Sequence, residues 1–281
     1  MENVFLKKYT VDRKEALLAI TEPNYHTIFE GFDEETIQLI YLQDTLVGWM
    51  HLHIPEIFIH SGFVFVYVKP EYRRRGIGTY AYRQAEMKLK EFGGNWWSSY
   101  PELEAADRFA MHVGFDYTNT NSYLVYDGRS LEVDEKEIRL AKSEDYPTAP
   151  DIWGKEYAAM HHRLGLPFEQ KEMTEEERKE DYQLFLQWLD RYYVMEVDGT
   201  IVGMGTLFDD ATGIGGLAVD EAYAGKGYGT RMASFLTNEC IRRGCPNPCL
   251  YCESGNDNAM HIYKKIGYVE KSRESVALRT N

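Results

Sequence analysis

The feature that most constrains this chain is that it repeats itself. Residues 68–79 and 219–230 share a Val, a Tyr, two Gly and a Thr in the same places, with a basic residue before the first shared Gly. The flanks agree. Thr45-Leu46-Val47-Gly48 matches Thr200-Ile201-Val202-Gly203 upstream, and Val113-Gly114-Phe115 matches Ile266-Gly267-Tyr268 downstream. The offset, about 151 residues, is too long for a solenoid and suits a duplicated domain. Two domains are therefore expected, at 1–130 and 135–281, with the boundary near 127–135, where Gly128 and a run of charge separate apolar stretches.

Within the first half, strands are expected at 4–9, 36–42, 46–54, 62–69, 96–99 and 122–126 from their β-branched and aromatic content. Helices are expected at 78–92, stopped by Gly93-Gly94, and at 102–113, stopped by Gly114. The second half follows suit, with strands at 137–141, 192–197, 201–208 and 213–219, a turn and strand over 246–254, and a final strand at 275–279. Its helices fall at 152–164, 174–189, 228–243 and 258–266. Thr174 and Glu177 have the spacing of a capping box, and Asp198-Gly199 suits a tight hairpin. The fold class is α+β (mixed α/β), each half a mixed, mostly antiparallel sheet flanked by helices.

Composition removes several alternatives. Hydrophobic residues make up 44% and charged residues 27%, a globular balance. No apolar run is long enough for a membrane span. The first ten residues lack the basic-then-apolar order of a secretory signal, so the expected location is cytoplasmic. A net charge of -14 argues against nucleic acid and favours a cationic partner. The four cysteines, Cys240, Cys245, Cys249 and Cys252, raise the question of zinc. Cys249 and Cys252 lie an odd number apart on an expected strand and so face opposite ways. Reduced, buried thiols are expected, and no metal site.

The chemistry sits where a strand runs into Arg73-Arg74-Arg75-Gly76-Ile77-Gly78-Thr79 and then a helix. Glycines let a backbone approach an anion closely, and the first N–H groups of a helix have no internal partner. Arg side chains add charge-assisted bonds. The loop is therefore read as a pyrophosphate cradle. Neither copy has the third Gly of a dinucleotide-binding fingerprint or the Gly-Lys-Ser/Thr of a nucleotide-binding P-loop.

From Val68 to Gly78 the residues resemble the acetyl-CoA signature of the GNAT superfamily of N-acetyltransferases, in which Gln or Arg is followed by x-x-Gly-x-Gly/Ala. Arg73, Gly76 and Gly78 stand at its fixed positions. The resemblance implies that backbone N–H groups of residues 74–79 bind the pyrophosphate of coenzyme A and that the strand ending at Val68 pairs with the pantetheine arm. In the second half it assigns the same tasks to Leu217, Ala218, Val219, Ala224, Gly225, Lys226, Gly227, Tyr228, Gly229 and Thr230. Asn256-x-x-Ala259-x-x-x-Tyr263-x-x-x-Gly267-Tyr268 resembles the family's second hallmark. It implies that Asn256 helps hold coenzyme A and that Tyr263 protonates the departing thiolate.

The halves depart from the pattern differently. Ala110 stands where the first half should have the Tyr, Leu103 where it should have the Asn, and Ala224 replaces Gln or Arg in the second. The resemblance thus implies a tandem acetyltransferase, with catalysis expected in the C-terminal half and acetyl-CoA as donor. The acetyl group would pass directly to a primary amine of a small molecule or peptide. Ala218 or Val219 N–H would meet the thioester carbonyl. Candidate bases are Glu253 foremost, then Asp209, Asp210, His161 and His162; Cys252 lacks an activating base. The segment 153–170 is expected to face the acceptor, and a monomer or homodimer is expected. The competing expectation is a coenzyme A-binding sensor or scaffold without turnover.

Overall fold

The computed structural model describes residues 3–25, 29, 32–55, 61–101, 103–166 and 172–280. It divides into two compact units, Met1–Thr120 with Glu274–Asn281, and Asn121–Arg273. The expected helix start at 102 and the end of the expected acceptor segment, 167–170, lie outside the described residues.

The first unit comprises β1 (Val4–Lys8), α1 (Lys14–Ile20), β2 (Ile37–Leu42), β3 (Thr45–His53), β4 (Gly62–Val68), α2 (Ile77–Phe92), β5 (Trp96–Tyr100) and α3 (Leu103–Val113). Its strands lie in the order β1-β2-β3-β4-β5, antiparallel except for β4 with β5. Every residue of β4 is buried, as its unbroken apolar run requires of a strand covered on both faces. Its side chains divide by alternation. Val64, Val66 and Val68 join Ile77, Ala81, Ala85 and Leu89 of α2. Phe63, Phe65 and Tyr67 join Trp49 and Leu17 on the other face. The helix spacing of i, i+4, i+8, i+12 turns one apolar stripe of α2 onto the sheet. Gly93, at φ 81°, ends that helix.

The second unit follows the same plan. It holds β7 (Ile138–Leu140), α4 (Thr148–Arg163), α5 (Glu175–Gln187), β8 (Tyr192–Val197), β9 (Thr200–Leu207), β10 (Gly213–Val219), α6 (Tyr228–Arg242), β11 (Cys249–Glu253) and α7 (Asp257–Ile266). The order is β7-β8-β9-β10-β11, with β10 and β11 parallel. Thr174 and Glu177 form the expected capping box at the start of α5, with bonds of 2.7 and 3.2 Å. Helices α6 and α7 cover one face of the sheet and α4 and α5 the other.

Two long strands remain, β6 (Tyr117–Tyr126) and β12 (Tyr268–Arg279). Residues 275–279 pair antiparallel with β5 in the first unit, and residues 121–125 pair antiparallel with β11 in the second. Each compact unit therefore takes its sixth strand from the far end of the other's stretch of sequence, where the sequence reading kept 122–126 in the first half and 275–279 in the second. Buried contacts fix this choice. Ala277 enters the core of the first unit and Leu124 that of the second. Asp107 accepts from Ser275 Oγ, and Asp116 accepts from the Thr280 amide at 2.6 Å. Helix α1 was not anticipated; seven residues are too few to show a periodic signal.

His51 on β3 is buried and stacks on Phe32 with ring centroids 3.9 Å apart. Burial pushes its imidazole down to about 4. The unfolded chain, titrating near ~6.5, takes up this proton first as pH falls. The group's contribution to stability is therefore complete above ~6.5 and is lost as pH falls towards 4. His51→Leu should flatten the fall in melting temperature over that window, as measured by calorimetry. Deleting residues 274–281 should strip hydrogen-exchange protection from Trp96–Tyr100 and leave Cys249–Glu253 protected; the reverse pattern would contradict the strand assignment.

Candidate functional site

In each unit the parallel pair opens almost at once. β4 and β5 pair only at Gly62 with Trp96 and Phe63 with Trp97; β10 and β11 pair only at Gly213 with Cys249 and Ile214 with Leu250. Beyond those pairs, backbone groups on the facing edges lack a ladder partner. The alternation of the neighbouring ladders says which ones. Lys69 N–H donates to Val47 O at 2.9 Å, so the amides of Val66 and Val68 face the opening. Asp220 N–H donates to Val202 O at 3.0 Å, so Leu217 and Val219 face it and Ala218 faces β9. Of the two amides considered from sequence, Val219's is the one turned to the opening.

Both glycine loops adopt one conformation. Arg74 and Gly225 have φ of 62° and 75°, and Gly76 and Gly227, the helix N-caps, have 78° and 83°. These left-handed values favour glycine, and Arg74 is the costly exception. A Cβ at Gly225 or Gly227 would meet nothing within 4 Å, so both glycines border open space. The first helical bonds run from Tyr80 N–H to Gly76 O and from Arg231 N–H to Gly227 O. The amides before them, at Ile77, Gly78 and Thr79 and at Tyr228, Gly229 and Thr230, are those a helix start offers to an anion. This geometry fits a pyrophosphate.

The flanking cations differ. Arg73 Nε donates to Val68 O at 2.8 Å and its guanidinium pairs with Glu22, so Arg73 ties the loop to the strand end at the cavity wall. Arg75 lies over the Tyr72 ring, and Lys226 over Tyr223 at 4.7 Å. At the Arg73 position the second unit has Ala224, which supplies no such tie.

Around the first loop the structure forms a cavity of about 600 Å³ whose lining includes Val66, Val68, Arg74, Gly76, Tyr100 and Arg108. Tyr100, absent from the sequence reading, closes part of the opening: Val66 N–H donates to its hydroxyl at 2.9 Å. The position expected to carry a proton donor is Ala110, buried in the core.

In the second unit Asn256 caps α7, its Oδ1 accepting from Ala259 N–H at 3.4 Å. Tyr263, one of the α7 residues, is 8% exposed and lies edge-on to Tyr268. Burial raises its hydroxyl well above the ordinary tyrosine value, so it is protonated at neutral pH. Nearby, burial pushes the Cys252 thiol up to about 11, which leaves it protonated and a poor nucleophile.

The expected bases differ in their surroundings. His161 Nε2 lies 3.1 Å from Glu253 Oε1, the imidazole buried and the carboxylate partly exposed. His162 is exposed. Asp209 is an exposed partner of Arg191, and Asp210 Oδ1 accepts from Thr212 N–H at 3.0 Å within a turn. Along α4, Trp153 stacks on Tyr157 at 4.7 Å and Tyr157 lies against His161 at 4.2 Å. The i, i+4, i+8 spacing of these rings was legible in the sequence as a helix stripe. Trp153, 40% exposed, reaches β10, where a Cβ on Gly216 would sit 3.3 Å from its Nε1. Glu156, on the same helix, accepts from Glu221 N–H at 3.0 Å, and burial raises its carboxyl. Among the described residues no group of three His, Cys, Asp or Glu could hold a metal ion, and no helix is long and apolar enough to cross a membrane.

A sequence model of the acetyltransferase (GNAT) family matches residues 4–115 and again 157–268. Solved structures share the fold. A GCN5-related N-acetyltransferase from Sphaerobacter thermophilus is 16% identical, with 100% of this chain and 96% of that one covered and a TM-score of 0.64. A GCN5-related glucosamine N-acetyltransferase region of a fungal multi-domain GH3 β-N-acetylglucosaminidase is 14% identical over 98% of this chain and 38% of that one, with a TM-score of 0.60. A tandem GNAT protein from the clavulanic acid biosynthesis pathway is 14% identical over 99% and 98%, with a TM-score of 0.55.

The buried His161–Glu253 pair should be felt in stability. Glu253→Leu leaves a buried imidazole nitrogen without its carboxylate and is expected to cost about 1–3 kcal/mol of unfolding free energy in denaturant titration. Asp209→Leu, at an exposed ion pair, should cost less than about 1 kcal/mol.

Proposed function

The chain belongs to the acetyltransferase (GNAT) family, and we propose that it transfers an acetyl group from acetyl-CoA directly to a primary amine of a small molecule or peptide, in its C-terminal unit. The observation that carries this reading is the meeting of His161 with Glu253 at the end of β11, on the strand that leads into the helix of Tyr263. In this reading Glu253 with His161 supplies the base and Tyr263, on the element that follows, the acid that acyl transfer to an amine requires.

When bound, the coenzyme supplies the acetyl group as an activated thioester. Its pyrophosphate fits the amides of Gly225 to Thr230, with Lys226 adding charge, and Asn256, at the head of α7, is read as helping to hold the coenzyme. The edge amides Leu217 and Val219 are the donors for a carbonyl oxygen that gains charge. His161 and Glu253 act as a unit that removes a proton from the acceptor ammonium, since only the neutral amine attacks. Tyr263, its proton held by burial, donates to the departing sulfur. The protonated Cys252 thiol supports direct transfer over an acetyl-cysteine intermediate.

The acceptor is read as a cationic amine with an apolar body. Trp153 and Tyr157 offer ring faces, Glu156 and Glu253 offer carboxylates, and the net charge of -14 draws cations. The same charge disfavours nucleic acid, and a cytoplasmic location fits free thiols.

Acetyl transfer is tested with a panel of primary amines: a polyamine, an aminoglycoside and a peptide N-terminus. Tyr263→Phe and His161→Asn should each lower kcat by roughly 100-fold and change the Kd for acetyl-CoA by less than about threefold. A chain that binds acetyl-CoA but acetylates no amine would instead be a non-catalytic coenzyme A-binding protein.

A further inference from the structure

The two openings are built from equivalent positions and finished differently. Counting from the first ladder pair, Val66 and Tyr100 stand four residues beyond Gly62 and Trp96, and Leu217 and Glu253 stand four beyond Gly213 and Cys249. Tyr100 and Glu253 are therefore counterparts at the end of the splayed strand. So are the amides of Val66 and Leu217, each two residues before the strand's final Val. In the second unit Glu253 turns to His161, and among the described residues no side chain bonds the Leu217 amide. In the first unit the hydroxyl of Tyr100 reaches across the opening and accepts the Val66 N–H at 2.9 Å.

The ring of Tyr100 is held there. It is 9% exposed, packs in the core with Phe63 and Tyr67, and stacks on Phe65 with centroids 4.8 Å apart. An amide pointing into the opening has one hydrogen to give. If a thioester carbonyl is to use it, the phenol must leave a buried, stacked position and lose its own bond. The pyrophosphate cradle at Arg74, Gly76 and the head of α2 is unaffected, because its donors lie on the loop and helix and not on the strand edge.

We infer that Tyr100 stands in for the acyl carbonyl in the N-terminal cleft, so that this cleft holds coenzyme A without engaging an acetyl group. It is a coenzyme site that cannot tell acetyl-CoA from coenzyme A and carries no transfer. This rests on the reading of both loops as coenzyme A cradles. It predicts a product-tolerant site alongside a site that turns over. The coincidence of Ala110 with Tyr100 is then coherent: this half lacks the proton donor of the working half, and the counterpart of its Leu217 amide is already occupied.

The test uses the full chain carrying Gly227→Glu, which closes the C-terminal cradle, with coenzyme A and acetyl-CoA as probes in calorimetry. The two Kd values should agree within about twofold. Adding Tyr100→Phe frees the Val66 amide and should make acetyl-CoA bind roughly 3- to 10-fold tighter than coenzyme A, the worth of one neutral hydrogen bond. A preference for acetyl-CoA of fivefold or more while Tyr100 is present overturns the inference, as does an unchanged ratio in Tyr100→Phe. Failure of both probes to bind overturns it too, and acetyl transfer by the unaltered chain then shows whether the family function still stands. Hydrogen exchange of residues 63–68 needs no change at Tyr100. Acetyl-CoA and coenzyme A should protect this stretch equally in the Gly227→Glu chain, and greater protection by acetyl-CoA sinks the idea.

Discussion

Everything in the candidate sites depends on two parallel strands that part after their first two pairs. A parallel pair that ran on would consume the edge amides and leave no place for a ligand between strands. Here β4 leaves β5, and β10 leaves β11, while each remains tied on its other side to a full antiparallel ladder. The rigid side fixes the direction of each amide and the open side offers it. A glycine loop and a helix start follow within a few residues, so an anion site is set beside the strand edge by chain connectivity alone.

Duplication repeated this scaffold, and the copies then diverged over most of their sequence while keeping the loop motif. The loop backbone is the same in both, down to the positive φ at Arg74 and Gly225. Among the differences are residues at the openings and in the cores beside them. One copy has Arg73, Tyr100 and Ala110; the other has Ala224, Glu253 and Tyr263. These changes barely touch the packing around them, because Ala110 and Tyr263 are each absorbed into their own core. A pair of domains can therefore keep a common fold while one keeps the chemistry.

The repeat, the loops and most elements were legible because each rests on local signals. Glycines at positive φ, a Thr-x-x-Glu cap and an all-apolar strand act within a few residues of themselves. The partners of residues 121–125 and 275–279 were not legible, since a strand's own alternation states which face is buried and not which edge it joins. Glu253 was found as a candidate from its place at a strand end. Its bond to His161 spans 92 positions and depends on the packing of α4, which no local pattern encodes. Tyr100 was missed because the reading looked for residues the family hallmark needs, while its role comes from register. Aligning β5 on β11 by their first ladder pairs would have placed Tyr100 opposite Glu253.

The central claim, that transfer belongs to the C-terminal unit, is tested most directly by initial rates of acetyl transfer to a primary amine for the unaltered chain, Gly76→Glu and Gly227→Glu. A carboxylate in either cradle repels a pyrophosphate. The account predicts that Gly227→Glu falls to the uncatalysed rate while Gly76→Glu keeps most of its activity. Loss of activity in Gly76→Glu with Gly227→Glu unimpaired would place the chemistry in the N-terminal unit and contradict it.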